Sequence, residues 1–542
     1  MCDSECRIAI RARPCFMGMP FVARRTNMKR SKHLLISLTL LFVLAGITSV
    51  AQGKTIYMGP NETYKNLQSA VSAMSGGDTL IIRDGTYTGT NNQIRYNLMP
   101  PSGSSSAYTV VRAENPGKAV FDGQNTISMF DGYGTFTMSY VQFDGIQYVN
   151  GSGAGGIGHN LTGSSATNRT AHHIKFTRCG FEDNIAIQYA SYILLEDCYV
   201  TGIGRYNFIP FTSDHVIFRR CVARLDNANG NGMPISNFVN YTSQYVEYQN
   251  CIAIDSNDQY YTNYEGVYGG FYCRHVNTVG GVEYHSSNTS IRGSIALNLQ
   301  HSRWGSSPSE VFSVGNGCDN FLMENTVFYD FLNGMIVDNS INMDFTIRHN
   351  TFGKSSYSAA WNMMTANTTS YGDVSNSLFF NLGGSGTAIS NIKSSTNDAF
   401  YGNFANKSNV GSSAADITTT NPLAGALKYL VRIESGSNLS GKASDGGDIG
   451  ATILYKIGAD GSMWGDTGYN TTTTNSLWPW PYEDTIRTFF RTYGAPSSPD
   501  PTRGFCADNM TLSKYIWEYL GNSCPPGKCN ANKGPALTVA PN

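Results

Sequence analysis

The 542-residue sequence predicts an all-β chain wound as a parallel β-solenoid, and two observations carry that prediction. A short frame, apolar-x-apolar-x-x-small-x-apolar, recurs along the chain. The spacer between copies varies, so only the strand–bend–strand part is constant. Within a copy the apolar residues alternate, as in a strand with one buried face, and the alternation then slips by one residue, as a bend requires. Composition bounds the rest: 57 Gly, 14% charged residues and a net charge of −1, where averages are about 7% Gly and about 25% charged. Near-neutrality excludes a basic nucleic-acid footprint and an acidic solvating tail. A 41% hydrophobic content excludes global disorder.

The copies run Ile174-x-Phe176-x-x-Cys179-x-Phe181, Ile193-x-Leu195-x-x-Cys198-x-Val200, Val216-x-Phe218-x-x-Cys221-x-Ala223 and Val246-x-Tyr248-x-x-Cys251-x-Ala253. They continue as Thr289-x-Ile291-x-x-Ser294-x-Ala296, Phe321-x-Met323-x-x-Thr326-x-Phe328, Phe345-x-Ile347-x-x-Asn350-x-Phe352 and Val374-x-x-Ser377-x-Phe379. An earlier copy reads Phe136-x-Met138-x-x-Val141-x-Phe143. Slot-to-slot spacings from Cys179 are 19, 23, 30, 43, 32, 24 and 27 residues, which excludes helical repeats and fixed-period propellers. The slot residues should therefore stack, one per coil. This makes Cys179, Cys198, Cys221 and Cys251 buried structural thiols, since a linear stack does not converge on a metal. It also accommodates the odd count of nine Cys after residue 51.

The ends of the solenoid are marked too. Residues 64–74 place Leu67, Ala70, Val71 and Met74 on one helical face, a cap for the N-terminal coil, stopped by Gly76-Gly77 before a strand at Asp78-Thr79-Leu80-Ile81-Ile82. Asp448-Ile449-Gly450-Ala451 closes the repeat region. Beyond it come Trp478-Pro479-Trp480-Pro481, helical stretches at 482–493 and 512–520, and a small disulfide loop between Cys524 and Cys529, with Cys506 as competing partner. The N-terminus reads as a leader. Met28-Lys29-Arg30-Ser31-Lys32-His33 is basic, residues 34–50 are apolar, and Ser49-Val50-Ala51 offers a cleavage site before Gln52. The expected organisation is an N-terminal extension and signal peptide at 1–51, a β-helix domain at 52–455 and a C-terminal segment at 456–542. A secreted or cell-surface monomer is expected, with no membrane span once the leader is cleaved.

Thr55-Ile56-Tyr57-Met58-Gly59, the capping helix, Gly77-Asp78-Thr79-Leu80-Ile81-Ile82, Asp84-Gly85-Thr86-Tyr87, the Cys/Asn-slotted repeats and Asp448-Ile449-Gly450-Ala451 together resemble the right-handed parallel β-helix proteins of the pectate-lyase-like superfamily. The resemblance spans roughly residues 54–455. It implies a right-handed parallel β-helix with an N-terminal capping helix and a small, partly helical C-terminal segment. Lyases, hydrolases and epimerases of acidic polysaccharides share this fold with adhesins and phage tailspikes, so the fold does not fix the activity. The Asp-Asp pair and Gly-His-Gly of polygalacturonase-like hydrolases, and the Arg-x-Pro-x-x-Arg of one pectate-lyase family, are absent from the sequence.

The longest spacers follow Cys221 and Cys251, which places inserted loops on two adjacent coils. A uronate lyase needs a cation beside the sugar carboxylate, a base for the adjacent proton and aromatic surfaces for the rings. The 255–304 stretch supplies Asp255, Asp258 and Glu265 as oxygen ligands for a candidate Ca²⁺ ion. Arg274, His275, His285, His301 and Arg303 are candidate bases or carboxylate clamps, and Tyr260, Tyr261, Tyr264, Tyr268 and Trp304 are candidate sugar platforms. Asp255 also belongs to a column four residues past the slot, with Asp183, Asn298, Asp330 and Asn381, that reads equally as an Asx ladder at turns. The expected function is a lyase acting on an acidic polysaccharide by β-elimination. The alternative is a non-catalytic surface or matrix protein binding a cell-surface glycan.

Overall fold

The computed structural model describes residues 53–131, 135–151, 158–202, 205–226, 236–256, 268–274, 276–299, 310–315, 317–338, 344–355, 364–365, 372–384, 386–494 and 501–530. These residues form a right-handed parallel β-helix whose coils present three faces. The first face includes Thr109–Ala113, Met138–Asp144, Ala171–Thr177, Ala190–Glu196, Asp214–Arg219, Gln244–Gln249, Thr289–Arg292, Phe321–Glu324 and Phe345–Arg348, paired in parallel. The second face is a 13-stranded parallel sheet. The third runs through Ile185–Gln188, Tyr206–Phe211, Ser236–Tyr241, Tyr268–Arg274 and Glu310–Gly315.

The slot stacks as the sequence requires. Each amide just past one slot donates to the slot carbonyl of the coil before: Tyr199 to Cys179, Val222 to Cys198, Ile252 to Cys221 and Ile295 to Cys251, then Val327 to Ser294, Thr351 to Thr326 and Leu378 to Asn350. The four thiols are fully buried and unpaired. Further along, side chains join the ladder. Ser294 Oγ accepts from the Cys251 amide at 3.0 Å, Asn350 Oδ1 from Thr326 at 2.8 Å and Asp398 Oδ1 from Ser377 at 2.9 Å. Apolar rings fill the interior in matching columns, with Phe208, Phe238 and Phe271 stacked at 5.1 and 5.0 Å.

One copy of the frame falls out of register. Val141 pairs with Ile174, and Gln147 with Gly180, so Ile146 and not Val141 occupies the slot before Cys179. The cause is a second slip in each coil. The first-face strands each carry one left-handed residue at a matched position, Tyr140, His173, Tyr192, His215 and Tyr245 at φ 53–55°, and the register runs on in step across it. At Tyr140 that left-handed kink imitates the bend in the apolar pattern.

Helix α1 (Leu67–Val71) caps the N-terminal end and is shorter than the 64–74 stretch suggested. Asn66 Oδ1 caps it by accepting from Ser69 N, and Leu67, Ala70 and Val71 are buried. At the other end, the last second-face strand is Ile417–Thr418. The chain then turns back, and the Asp448-Ile449-Gly450-Ala451 segment lies along the outside instead of closing a coil. It follows the corner between the first and second faces, where a column of left-handed residues holds it. Asn397 donates to Lys442 O, Asn376 accepts from Ser444 N, and His349 Nδ1 lies 3.0 Å from Asp448 O. Asn325 then pairs with Thr452, Asn250 with Ile457 and Arg220 with Asp460. Tail numbers rise as coil numbers fall, so the strap runs down the solenoid.

The strap ends in helices α2 (Glu483–Tyr493) and α3 (Leu512–Glu518), within the stretches the sequence marked. Their apolar residues Ile486, Phe489, Phe490, Ile516 and Trp517 form one core with the outward side chains Tyr199, Val222, Ile252, Ile295, Val327 and Phe380 of the second face. Each such side chain contributes roughly 1.5–3 kcal/mol on burial. Cys524 and Cys529 are disulfide-bonded, while Cys506 is a buried free thiol. A second disulfide, Cys273–Cys318, was not legible in the spacing.

Candidate functional site

Insertions collect at one corner of three successive coils. The chain leaves the second face at Leu225, Ile254 and Leu299 and rejoins the third at Ser236, Tyr268 and Glu310. A further excursion lies between the third and first faces, where Val276–Val279 and Val282–His285 form an antiparallel hairpin. Gly280 and Gly281 turn it with φ of 60° and 80°, the conformation a two-residue hairpin loop requires. The Cys273–Cys318 disulfide fixes its base to the next coil. Val279-Gly280-Gly281-Val282 carries a recognisable hairpin signal that the repeat-based reading passed over.

His285 ends this hairpin and is the one expected base whose side chain is described. Its Nε2 lies 2.8 Å from Glu283 Oε1 and its Nδ1 3.9 Å from Asp319 Oδ2, with about a quarter of the side chain exposed. Nδ1 is buried without a hydrogen bond, so its approach to Asp319 is electrostatic only, while Nε2 is held by Glu283. Arg274 is in backbone register with Tyr241 on the third face, and Tyr268 opens the same strand. His275, His301, Arg303, Tyr260, Tyr261, Tyr264, Trp304, Asp258 and Glu265 lie outside the described residues.

Asp255 is 1% exposed. Its Oδ1 accepts from Asn298 Nδ2 at 2.7 Å and from the Tyr515 hydroxyl at 2.8 Å, and its Oδ2 accepts from Phe505 N at 3.3 Å. Protein donors thus take up both oxygens, and the carboxylate joins the C-terminal segment to the coil. The column Asp183, Asp255, Asn298, Asp330 and Asn381 is left-handed throughout, the Asx arrangement that its spacing suggested. Among the described residues no three His, Cys, Asp or Glu side chains are grouped to hold a metal ion.

The aromatic residues around this level divide by face. Tyr248 points inward and stacks on Phe218 at 5.2 Å. Tyr206, Ile209, Val239 and Tyr272 form an outer cluster on the third face, with Arg205 4.8 Å from the Tyr206 ring. Along the first face the five left-handed residues form a continuous stack, Tyr140–His173–Tyr192–His215–Tyr245, with centroids 4.6, 4.7, 4.5 and 4.8 Å apart. Trp464 of the strap abuts His215 and Tyr245 edge-on. Because ring faces meet one another, the stack offers its edges outward, hydroxyls and ring nitrogens, and not flat platforms. Partial burial lowers the His172 and His173 imidazoles from their ordinary range, favouring the neutral rings. The upper end of the stack reaches the hairpin coil, where Tyr245 N donates to Ser287 O and Thr242 N to Ser286 Oγ.

A family model for chondroitinase B matches residues 62–215. No curated protein matches the chain. Among solved structures, pectate lyase Pel9A aligns at 13% identity with a TM-score of 0.40, covering 74% of this chain and 96% of its own. A family 6 polysaccharide lyase from Pseudopedobacter saltans aligns at 12% identity with a TM-score of 0.37, covering 72% and 99%. The N-terminal fragment of bacteriophage phi29 gene product 12 aligns at 14% identity with a TM-score of 0.41, covering 65% and 68%. The chain is a right-handed parallel β-helix, similar over residues 62–215 to the chondroitinase B family model.

Proposed function

We propose that this is an exported polysaccharide lyase-like protein that binds an acidic glycan at the hairpin coil and cleaves it by β-elimination. The observation that carries the reading is a run of three coils with insertions between the second and third faces, together with a disulfide-anchored hairpin between the third and first faces that bears His285 beside Glu283. In this reading His285 Nε2, released from Glu283, accepts the proton from the carbon beside the uronate carboxylate, the electron pair left behind forms the C=C bond as the bond to the glycosidic oxygen breaks, and that oxygen leaves as a hydroxyl by taking a proton from water. Arg274, His275, His301 and Arg303 are the candidate clamps for the carboxylate. Tyr260, Tyr261, Tyr264, Tyr268 and Trp304 are the candidate sugar contacts, and Asp258 and Glu265 the remaining candidate Ca²⁺ ligands.

The test incubates the full chain with chondroitin, dermatan, alginate and pectate and follows the ultraviolet band of the unsaturated uronate, with and without a chelator. Release of that band, lost in His285→Ala, supports the lyase. Retention of a glycan without the band supports a non-catalytic glycan-binding solenoid. The engagement of Asp255 by protein donors favours this second reading, because it removes one of three carboxylates a Ca²⁺ site was expected to use.

A further inference from the structure

We propose that His172 and His173 form a site for a divalent transition-metal ion, Cu²⁺ above others, held by their two Nδ1 atoms. The site lies on the first face and is independent of the glycan reading. The two Nδ1 atoms are 2.9 Å apart, and the ring planes stand at 85°. Metal–imidazole bonds of about 2.0–2.1 Å span about 2.9 Å between nitrogens when they meet at a right angle, and about 3.4 Å at a tetrahedral angle. The spacing is thus the cis edge of a tetragonal ion, the geometry of Cu²⁺ or Ni²⁺, and Cu²⁺ heads the affinity order. Without an ion, one Nδ1–H donates to the other ring. With one, both protons sit on Nε2 and both Nδ1 lone pairs face the metal.

The solenoid holds this pair in a fixed pose. His173 is left-handed and clasped between Tyr140 and Tyr192, and His172 meets the Tyr140 ring edge-on at 5.8 Å. Both side chains remain partly exposed, so an ion can reach them. Neighbouring coils do not repeat the pair: the positions in register with His172 are Ser139 and Ser191, and the left-handed residues beside them are Tyr140 and Tyr192. The strand therefore does not itself demand an imidazole at either place. Other described histidines are already committed. His215, in the same stack, has Nδ1 3.0 Å from Asp214 Oδ1, and Asp214 Oδ2 meets Arg169 at 2.8 Å. His349 spends its nitrogens on Asp448 O and Asp445 Oδ2, and His159 is sealed in the core. Lys175, two residues along the strand, is drawn off to Gly461 O at 2.7 Å. Among the described residues no third His, Cys, Asp or Glu joins the pair, so water fills the remaining positions and the ion stays open to exchange.

The experiment titrates the full-length chain with Cu²⁺ and with Zn²⁺ at neutral pH by calorimetry, records the electron paramagnetic resonance of the Cu²⁺ form, and measures Tm with and without the ion. His172→Ser and His173→Tyr each install the residue that both adjoining coils carry at that position, so both should keep the wild-type Tm without metal. His215→Tyr serves as control, since it changes the stack and leaves the pair. The wild type is expected to take up Cu²⁺ with the splitting of two nitrogen ligands, to hold Zn²⁺ more weakly, and to gain Tm with added Cu²⁺. His172→Ser and His173→Tyr should each weaken that binding by about tenfold or more and lose the two-nitrogen pattern, while His215→Tyr retains both. A wild type without Cu²⁺ uptake overturns the proposal and leaves the pair a hydrogen bond alone. Uptake unchanged in both His172→Ser and His173→Tyr also overturns it, because the ion then sits elsewhere. Equal loss in His215→Tyr assigns the effect to the stack and overturns it as well, and tighter binding of Zn²⁺ than of Cu²⁺ overturns the tetragonal assignment.

Discussion

Asn325 and Thr452 are joined by two reciprocal hydrogen bonds: Thr452 N donates to Asn325 Oδ1 at 2.6 Å, and Asn325 Nδ2 donates to Thr452 O at 2.8 Å. One side-chain amide thus plays the part of a neighbouring strand and ties the strap to its coil. Removing it in Asn325→Gly should destabilise the chain by about 1–3 kcal/mol. Asn325→Ala should cost about 1 kcal/mol more, because residue 325 is left-handed and alanine resists that conformation. Denaturant titration of the two variants separates the bonds from the backbone term.

His159 is fully buried beside Tyr148 and Phe181, and burial lowers its imidazole to about 3. The folded state therefore binds this proton less readily than the unfolded chain. Its contribution to stability is complete above pH 6.5 and is lost as the pH falls towards about 3. His159→Phe should flatten the acid limb of stability against pH in that window. An unchanged limb would assign acid sensitivity elsewhere.

Asp398 carries the opposite sign. Burial pushes its carboxyl up to about 8 from 3.8, so the folded state holds the proton more tightly. Stability from this group is complete below pH 3.8 and falls away as the pH rises towards 8. Asn350 already performs the same amide-accepting task two slots earlier. Asp398→Asn should therefore gain on wild type with rising pH, by roughly 1–3 kcal/mol at alkaline pH. Melting curves at pH 5 and pH 9 check the sign.

Cys179, Cys198, Cys221, Cys251 and Cys506 are buried free thiols. None should react with a thiol reagent in the native state, and all five should react together at the rate of global unfolding. Fast labelling of a single one would place it in a locally opening segment.

The coils were legible because their residues act on nearest neighbours: a slot residue meets the slot one coil away, so alternation and small size suffice to mark it. The Asx column was legible for the same reason, since a left-handed turn favours Asp and Asn locally. The misplaced frame at Val141 shows the limit, because a left-handed kink inside a strand and a bend between strands leave the same one-residue slip. At the site, His285 was legible as a residue near others of its kind, whereas its pairing with Asp319 depends on a turn one coil away. The fate of Asp255 was hidden altogether. Its partners Phe505 and Tyr515 lie some 250 and 260 residues downstream, and no local pattern announces them.

The direction of the strap sets an order of events during synthesis. Tyr482 lies over Arg178, and Phe489 packs on Tyr199, so coils produced early receive their outer cover from residues produced much later. A ribosome-bound chain presents a bare greasy flank until residues 482–520 emerge. Premature termination anywhere before residue 480 should therefore yield sticky products that need a chaperone's shelter, however many complete turns they contain.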